Sequence, residues 1–262
     1  PDAPLLPLTA AERDWLQQHP VIRAQNELDW PPFNFQEAGE PRGFSIDYLN
    51  LLAAKLGIRV DYRTGSDWSD FQRQIREKTL DVMLNIVKTE DRQGYLLFTA
   101  PYATTPNVIV SRRDEPVTSL AELNGRRIAF PRGFFQEEIL ARHYPAIRRL
   151  PLDDALTSLK AVAFGQADAT LGRDAVMRYL IARHLLTNLR VTDEVALGDP
   201  DLGNLRIAVR NDWPLLHAAL GKAMDAVTPA ELNALRQKWL LRSTSIADPE
   251  TDYAQEGGWS LW

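Results

Sequence analysis

A threonine and an arginine stand three residues apart in a stretch that could bind an anion. Thr89 and Arg92 follow the apolar run DVMLNIV, which has the composition of a buried strand. We expect Thr89 to cap a helical turn over EDRQGY, whose free backbone N–H groups and dipole favour a negative charge. Arg92, expected to be a partly exposed pocket residue, could grip a carboxylate through two hydrogen bonds. An ordinary helix cap beside a surface arginine explains the same pattern.

Aromatic residues in irregular segments form a second candidate group. Trp30 and Phe33 flank the Pro-Pro pair of DWPPFNF, and prolines fix the backbone that presents their rings. Trp68 in SDWSDF is a second candidate wall, and facing rings would suit a flat or cationic ligand group. Glu27 could counter a positive charge on such a ligand. Packed core rings and a solvated acid explain these residues equally well.

Composition excludes several functional classes. The 262 residues are 45% hydrophobic and 25% charged, which is ordinary for a globular fold. A net charge of −5 with mixed signs gives no basic surface for nucleic acid. The absence of cysteine excludes disulfides, thiolate metal sites and a cysteine nucleophile. No apolar run approaches the roughly 20 residues of a membrane span.

Signatures of common enzymes and metal sites are missing from the sequence. The histidines are scattered and show no metal-ligand spacing: His19, His143, His184 and His217. The sequence contains no G-x-S-x-G elbow, no P-loop and no G-x-G-x-x-G turn. We therefore expect no metal, no cofactor and no catalysis.

Short apolar runs alternate with helix-like segments, a pattern that favours an α/β fold. The predicted strands are VIRAQ, IRVDYR, DVMLNIV, RRIAF, ADATLG and LRIAVR. The alternation restarts near Arg126, which suggests a second lobe. The extended segments TTPNVIVSRR and ALGDPDLGNLRIAV are the expected crossings between the lobes.

Capping residues predict a helix near each end of the chain. Thr9 and Glu12 in LTAAERDWLQQHP have the spacing of a capping box. Thr228 and Pro229 occupy the cap and first position of a helix over TPAELNALRQKWLL. After Arg242 the helical pattern fades, so the rest is expected to be a linker or loosely docked tail.

Taken together, these segments resemble the type II periplasmic solute-binding fold, specifically amino-acid-binding family 3. The similarity includes Venus-flytrap domains attached to bacterial sensor kinases and cyclic-di-GMP enzymes. It covers about residues 8–241 and rests on LTAAERDWLQQHPVIR, LDVMLNIVKTEDRQGYLLFTAPY and AVAFGQADATLGRDAVMRYLI, among other segments. The leading helix is more typical of the receptor-attached members.

The resemblance implies two lobes, each a mostly parallel sheet flanked by helices, joined by two hinge strands. The expected division is an appended helix at 1–20, a first lobe at 21–107 and 203–242, a second lobe at 108–202 and a tail at 243–262.

The resemblance also assigns roles in the first lobe. In relatives, the arginine matching Arg92 clasps the ligand α-carboxylate, and the residue matching Thr89 lines the same pocket. The positions of Asn85 and Val87 offer main-chain groups to the ligand. An acid at Glu27 with rings at Trp30 and Trp68 favours a basic amino acid such as arginine.

The second lobe departs from the family pattern. Arg132, Gly133 and Phe134 stand where relatives carry a Gly-Thr or Gly-Ser turn that grips the carboxylate. The aspartate that pairs with the ligand amine aligns with Arg173, and Asp174 is its neighbour. If Asp174 takes that role, an α-amino acid is expected, whereas an inward-facing Arg173 makes a di-anion more attractive.

The resemblance therefore implies a non-catalytic periplasmic sensor for a small amino-acid-like solute. It would be the ectodomain of an inner-membrane protein, with a membrane span and a cytoplasmic output domain elsewhere in the protein. A homodimer is left open. The alternatives are the free binding protein of an amino-acid ABC transporter and, less favoured, an enzyme like the cyclohexadienyl dehydratases.

Overall fold

The computed structural model describes the backbone of residues 6–246 and the side chains of residues 6–240. Its α-helices are α1 Ala10–Gln18, α2 Phe44–Leu56, α3 Trp68–Arg76, α4 Glu90–Gln93, α5 Phe135–His143, α6 Ala155–Ala163, α7 Asp174–Arg183, α8 Pro214–Asp225 and α9 Pro229–Ile246. Its strands are β1 Val21–Gln25, β2 Asp29–Trp30, β3 Asn34–Glu37, β4 Glu40–Arg42, β5 Arg59–Arg63, β6 Val82–Ile86, β7 Leu96–Thr104, β8 Asn107–Arg112, β9 Arg127–Pro131, β10 Arg148–Leu152, β11 Ala169–Arg173, β12 Leu189–Val191 and β13 Asn204–Arg210.

The first sheet has the strand order β5-β1-β6-β13-β7. Strand β1 pairs in parallel with β5 and β6, whereas β13 is antiparallel to both of its neighbours, β6 and β7. Four of its five strands therefore run in one direction, and β13 runs against them. The all-buried run of β6 lies at the centre, as expected for a strand covered on both faces.

The second sheet repeats this plan in the order β10-β9-β11-β8-β12. Strand β9 pairs in parallel with β10 and β11, and β8 is antiparallel to β11 and β12. A small antiparallel sheet of β2, β3 and β4 is attached to the first sheet's part of the molecule and carries Trp30.

The chain crosses from the first sheet to the second between Thr104 and Asn107, and it returns between β12 and β13. We call the part built on the first sheet the first lobe and the part built on the second sheet the second lobe. Asn107, expected at the end of the first lobe, is the first residue of β8 and belongs to the second sheet. We therefore propose a first lobe of residues 21–106 and 203–242 and a second lobe of residues 107–202.

The expected caps form at both ends of the chain. Thr9 Oγ1 accepts a hydrogen bond from the Glu12 backbone N–H over 3.1 Å and begins α1. Thr228 and Glu231 exchange two hydrogen bonds of 3.1 and 2.9 Å at the start of α9, which is a capping box. Helix α1 packs on α8, where Lys222 Nζ lies 2.6 Å from Glu12 Oε1.

Helix α9 contacts both lobes. It is held to α2 of the first lobe by Lys55 with Glu231 at 3.0 Å and by the Trp239 indole N–H with Asp47 at 2.8 Å. It also packs against α7 of the second lobe. The helix continues to Ile246, past the expected end at Arg242, and the predicted tail beyond Ile246 lies outside the described residues.

Several expected site residues follow directly after strands. Val87 and Thr89 come after β6, Gly133 comes after β9, and Arg173 ends β11. These are the carboxyl ends of parallel neighbours, where open α/β sheets bind ligands. The two sheets therefore bring their functional loops together at the cleft between the lobes.

Candidate functional site

Arg92 is held across the cleft by main-chain oxygens of both lobes. Its backbone N–H bonds to Thr89 Oγ1 at the start of the single turn of α4. Its Nη1 donates to the Val87 carbonyl over 2.8 Å, and its Nη2 donates to the Gly133 carbonyl of the second lobe over 3.1 Å. Glu138 lies 3.9 Å from its Nε.

Arg92 is only 1% exposed, so the expectation of a partly exposed arginine was wrong. Burial lowers the pKa of its guanidinium, although the nearby Glu138 carboxylate acts in the opposite direction. A guanidinium stays charged in this setting because its ordinary pKa lies above 12. The cleft therefore contains a desolvated positive charge.

Arg173 adds a second buried guanidinium from the opposite lobe. It is 3% exposed, its Nη1 donates to the Thr105 carbonyl over 3.0 Å, and its guanidinium lies 5.0 Å from the centre of the Phe135 ring. Burial, followed by the repulsion of Arg92, lowers its pKa to about 9. No carboxylate of the described residues forms an ion pair with Arg173.

Asp174 does not line the cleft. Its carboxylate accepts a 2.8 Å hydrogen bond from Arg178, one turn further along α7. Of the two neighbours, Arg173 is the one that lines the cavity.

Three aromatic rings meet where the lobes touch. Phe134 of the second lobe packs edge-on against Trp68 and Trp30 of the first, with ring centroids 5.1 and 6.5 Å apart. Phe33 lies behind Trp30, at 5.2 Å, and is buried in the core of the first lobe instead of facing the cleft. Trp30 and Trp68, which were expected to enclose a ligand, thus enclose the Phe134 side chain.

The cavity at this contact is small. Its lining is Trp30, Trp68, Asn85, Val87, Arg92, Pro131, Phe134, Phe135, Gln136, Ala155, Leu171, Gly172, Arg173 and Met177. The cavity volume accessible to the centre of a water molecule is about 20 Å³, so the cavity has room for about one water molecule. The lobes must therefore separate before an amino acid can enter.

Glu27 lies at the edge of the site, in an acidic groove that it shares with Asp153 and Asp154 of the second lobe. Its Oε2 accepts a 2.8 Å hydrogen bond from Asn85 Nδ2. Glu27 is 8% exposed, and loss of solvent raises the pKa of its carboxyl to about 8. The carboxyl is therefore largely protonated at neutral pH in this closed arrangement.

Other expected residues also lie away from the cavity lining. Thr89 caps α4 and faces a separate groove with Arg142 and Asp199. Arg132 is exposed and pairs with Asp153 at 3.3 Å. Gly133 takes part through its carbonyl oxygen, which Arg92 binds.

Gln136, Phe135 and Met177 line the cavity and were missed by sequence reasoning. Gln136 follows the unusual PRGFF turn and is the second residue of α5, a position next to the expected anion-gripping loop. Its position directly after the PRGFF turn was the sequence signal that could have identified Gln136 as a site residue. Among residues 6–246, no cluster of three or more histidine, aspartate or glutamate side chains is arranged to hold a metal ion.

Comparison with known families identifies the class of the chain. A family model for the bacterial extracellular solute-binding proteins, family 3, matches residues 22–242. The chain belongs to this family. Membership in family 3 makes it a binding domain and not an enzyme.

Two kinds of known protein, a sensor protein and an arginine-binding protein, resemble the chain over most of its length. Sensor protein EvgS of Escherichia coli O157:H7 is 26% identical over 252 residues, which is 96% of this chain and 21% of that protein. The arginine-binding extracellular protein ArtP of Bacillus subtilis is 25% identical over 218 residues, or 80% of this chain and 82% of that protein. The chain spans about a fifth of the length of the sensor relative.

Solved structures confirm the two-lobed Venus-flytrap fold. The periplasmic domain of Bordetella pertussis BvgS aligns with a TM-score of 0.79 at 25% identity, covering 96% of this chain and 48% of that chain. The family description and this periplasmic relative indicate a periplasmic location. Within residues 6–246, no helix is both long and apolar enough to cross a membrane.

Proposed function

We propose that this family 3 domain is the periplasmic sensor of a membrane-anchored signalling protein and that it closes on a small amino-acid-like solute bearing a carboxylate. The observation that supports this is Arg92, a fully buried cation that bridges the lobes through the Gly133 carbonyl. Within the described residues, the hydrogen-bond acceptors of the Arg92 guanidinium are carbonyl oxygens, and the Glu138 carboxylate lies 3.9 Å from its Nε. The guanidinium is therefore suited to exchange one carbonyl for a ligand carboxylate.

Ligand binding and lobe closure are linked through this arrangement. In an open state, Arg92 Nη2 loses the Gly133 carbonyl and becomes available to a ligand carboxylate. The second lobe can then close on the far side of the ligand with Phe134 and Arg173. The ligand shifts the equilibrium only as far as its affinities for the open and closed states differ.

The sensor assignment is favoured over transport by similarity to EvgS and BvgS across 94 to 96% of this chain. In the complete protein, lobe movement would then act on an output domain across the membrane. A free binding protein for an amino-acid transporter is the second candidate, supported by the similarity to ArtP over most of that protein.

Ligand titration of the purified chain tests the proposal. We expect at least one amino acid to raise the unfolding midpoint and to give heat in calorimetry, because a ligand specific for the folded state stabilises it. Arg92→Lys should weaken that binding about 10-fold or more, since an ammonium cannot form the two-pronged contact. Arg148→Lys, an exposed change in β10, is the matched control. Unchanged affinity in the Arg92 variant would refute the carboxylate contact.

The sensor role is tested separately in the complete protein. Addition of the ligand to cells carrying the full-length protein should change the activity of its output domain, and Arg92→Lys should shift the response to higher ligand concentrations. A ligand that is imported but leaves the output unchanged would favour the transport function.

A further inference from the structure

Four buried polar atoms around the same cavity have no hydrogen-bond partner among the side chains and backbone that the structure describes. Three are donors, namely Trp68 Nε1, Arg92 Nε and Arg173 Nη2, and the fourth is an acceptor, Gln136 Oε1. Buried polar groups are nearly always paired, because leaving one unpaired costs its full desolvation. Their concentration at one cavity indicates that a bound molecule completes them.

The orientation of the Gln136 amide is fixed by a second contact. Its Nε2 donates to the Leu171 carbonyl over 3.1 Å, so the atom left without a partner is the oxygen. That oxygen requires an N–H or O–H donor from the ligand. The cavity therefore presents three donors, two of them charged, together with one acceptor.

The charges of the cavity also constrain the ligand. Within residues 6–240, the Thr105 carbonyl is the one hydrogen-bond partner of the Arg173 side chain, and Glu138 lies 3.9 Å from Arg92 Nε. Glu27 is on the outer groove and bonds to Asn85. A cationic ligand side chain beside Arg173 would add a third positive charge to a desolvated site. A second ligand carboxylate would instead neutralise the charge of Arg173.

We propose that the cleft recognises an acidic amino acid, with Arg92 binding one carboxylate and Arg173 the other. Trp68 Nε1 supplies a further donor to a carboxylate oxygen, and Gln136 Oε1 accepts from the ligand amine. Arg173 thereby determines the preference for a second carboxylate. It occupies the position at which relatives carry the aspartate that binds the ligand amine. This inference rests on the proposed function, because it assigns the ligand class of the same site.

Calorimetric titration of the purified chain with L-glutamate, L-aspartate, L-glutamine, L-arginine and inorganic phosphate tests the inference. An acidic amino acid should bind at least about 10-fold more tightly than glutamine, because charge-assisted pairs are the stronger hydrogen bonds. Arg173→Gln should remove that preference while changing glutamine affinity by less than about threefold. Arg183→Gln, an exposed change at the end of helix α7, should leave both affinities unchanged.

The outcomes separate this inference from the proposed function. Tightest binding of arginine or glutamine would overturn the acidic ligand and leave the carboxylate contact of Arg92 intact. Tightest binding of phosphate would overturn both, because phosphate carries no amine and no carboxylate. The absence of binding by every compound at millimolar concentration would overturn the acidic ligand, and titration with the remaining amino acids would then decide the proposed function.

A second variant covers the case in which Arg173→Gln fails to fold. Arg173→Lys keeps the charge but not the planar fork, so we expect an intermediate loss of acidic-ligand affinity. Near-ultraviolet circular dichroism of the free protein checks that each variant is folded. If the variants fold and acidic ligands bind them as well as the original chain, Arg173 is not a ligand contact.

Discussion

Arg92 Nη2 of the first lobe donates a hydrogen bond of 3.1 Å to the Gly133 carbonyl oxygen of the second lobe. The bond joins the two lobes at the mouth of a cavity that has room for about one water molecule. Ligand and protein therefore compete for the same donor, and any solute that uses Arg92 must first gain access by opening the lobes.

Gly133→Ala should weaken the contact between the lobes. Gly133 has a φ of +79°, and an added Cβ would lie 2.7 Å from both Ser69 Oγ and Gln72 Oε1 of the first lobe. We expect a larger radius of gyration in small-angle X-ray scattering and a loss of stability above the roughly 1–2 kcal/mol of left-handed strain. Gly39→Ala is the control, since Gly39 has a φ of +80° with nothing within 4 Å of the added atom. Equal effects in the two variants would contradict the interlobe contact.

Phe134→Ala should also favour the open state. The ring packs on Trp30 and Trp68 but is only half-buried, so we expect a loss of about 2 kcal/mol, below the roughly 3–5 kcal/mol of a fully buried phenylalanine. Tryptophan fluorescence should shift to longer wavelength as the indoles meet water. Phe164→Ala removes a ring that is mostly exposed and should change neither property.

Glu27 should make stability fall as pH rises. Burial raises its pKa from 4.5 to about 8, so the folded state favours the protonated carboxyl. Its favourable contribution is complete below about pH 4.5 and is lost as the pH rises to about 8, by roughly 5 kcal/mol at most. Glu27→Gln keeps an acceptor for Asn85 and should remove this part of the pH dependence. If the free energy of unfolding in urea depends on pH in the same way in the original chain and in Glu27→Gln, the pKa of Glu27 is not raised by folding.

Glu12→Gln should loosen α1 from α8. The Lys222 hydrogen bond lowers the pKa of Glu12, so its stabilisation is present above an ordinary pKa of 4.5 and disappears as acidification passes the lower folded value. Lys222 is partly exposed, so we expect a loss of about 1–2 kcal/mol at pH 7 in urea unfolding, less than for a fully buried pair. Asp14→Asn, an exposed change in the same helix, should be close to neutral. A comparable loss in that control would indicate a general effect on α1.

The strands and caps were predictable because their determinants are local. DVMLNIV and LRIAVR form β6 and β13, and Thr9 and Thr228 cap helices as their sequences predict. The end of α9 was placed too early because the apolar pattern stops before the backbone hydrogen bonding does. Polar residues can extend a helix that tertiary contacts already hold.

The second-lobe side of the site could not be derived from sequence in the same way. Arg173 ends β11 and Asp174 begins α7, so a difference of one position decides which side chain enters the cleft. Neighbouring side chains on a strand point to opposite faces, and sequence spacing alone does not fix the register. Gln136 was missed because its partners come from β11, far away in the chain.

Helix α9 contacts both lobes, so it must respond when the lobes move relative to each other. It is bound to α2 of one lobe by Lys55 and Asp47, and it packs on α7 of the other. When the lobes separate, α9 cannot keep both sets of contacts in the same place, so its axis must shift relative to at least one lobe. Opening of the cleft beside Arg173 therefore changes the position of α9 relative to the lobes, through the contacts that join it to α2 and α7.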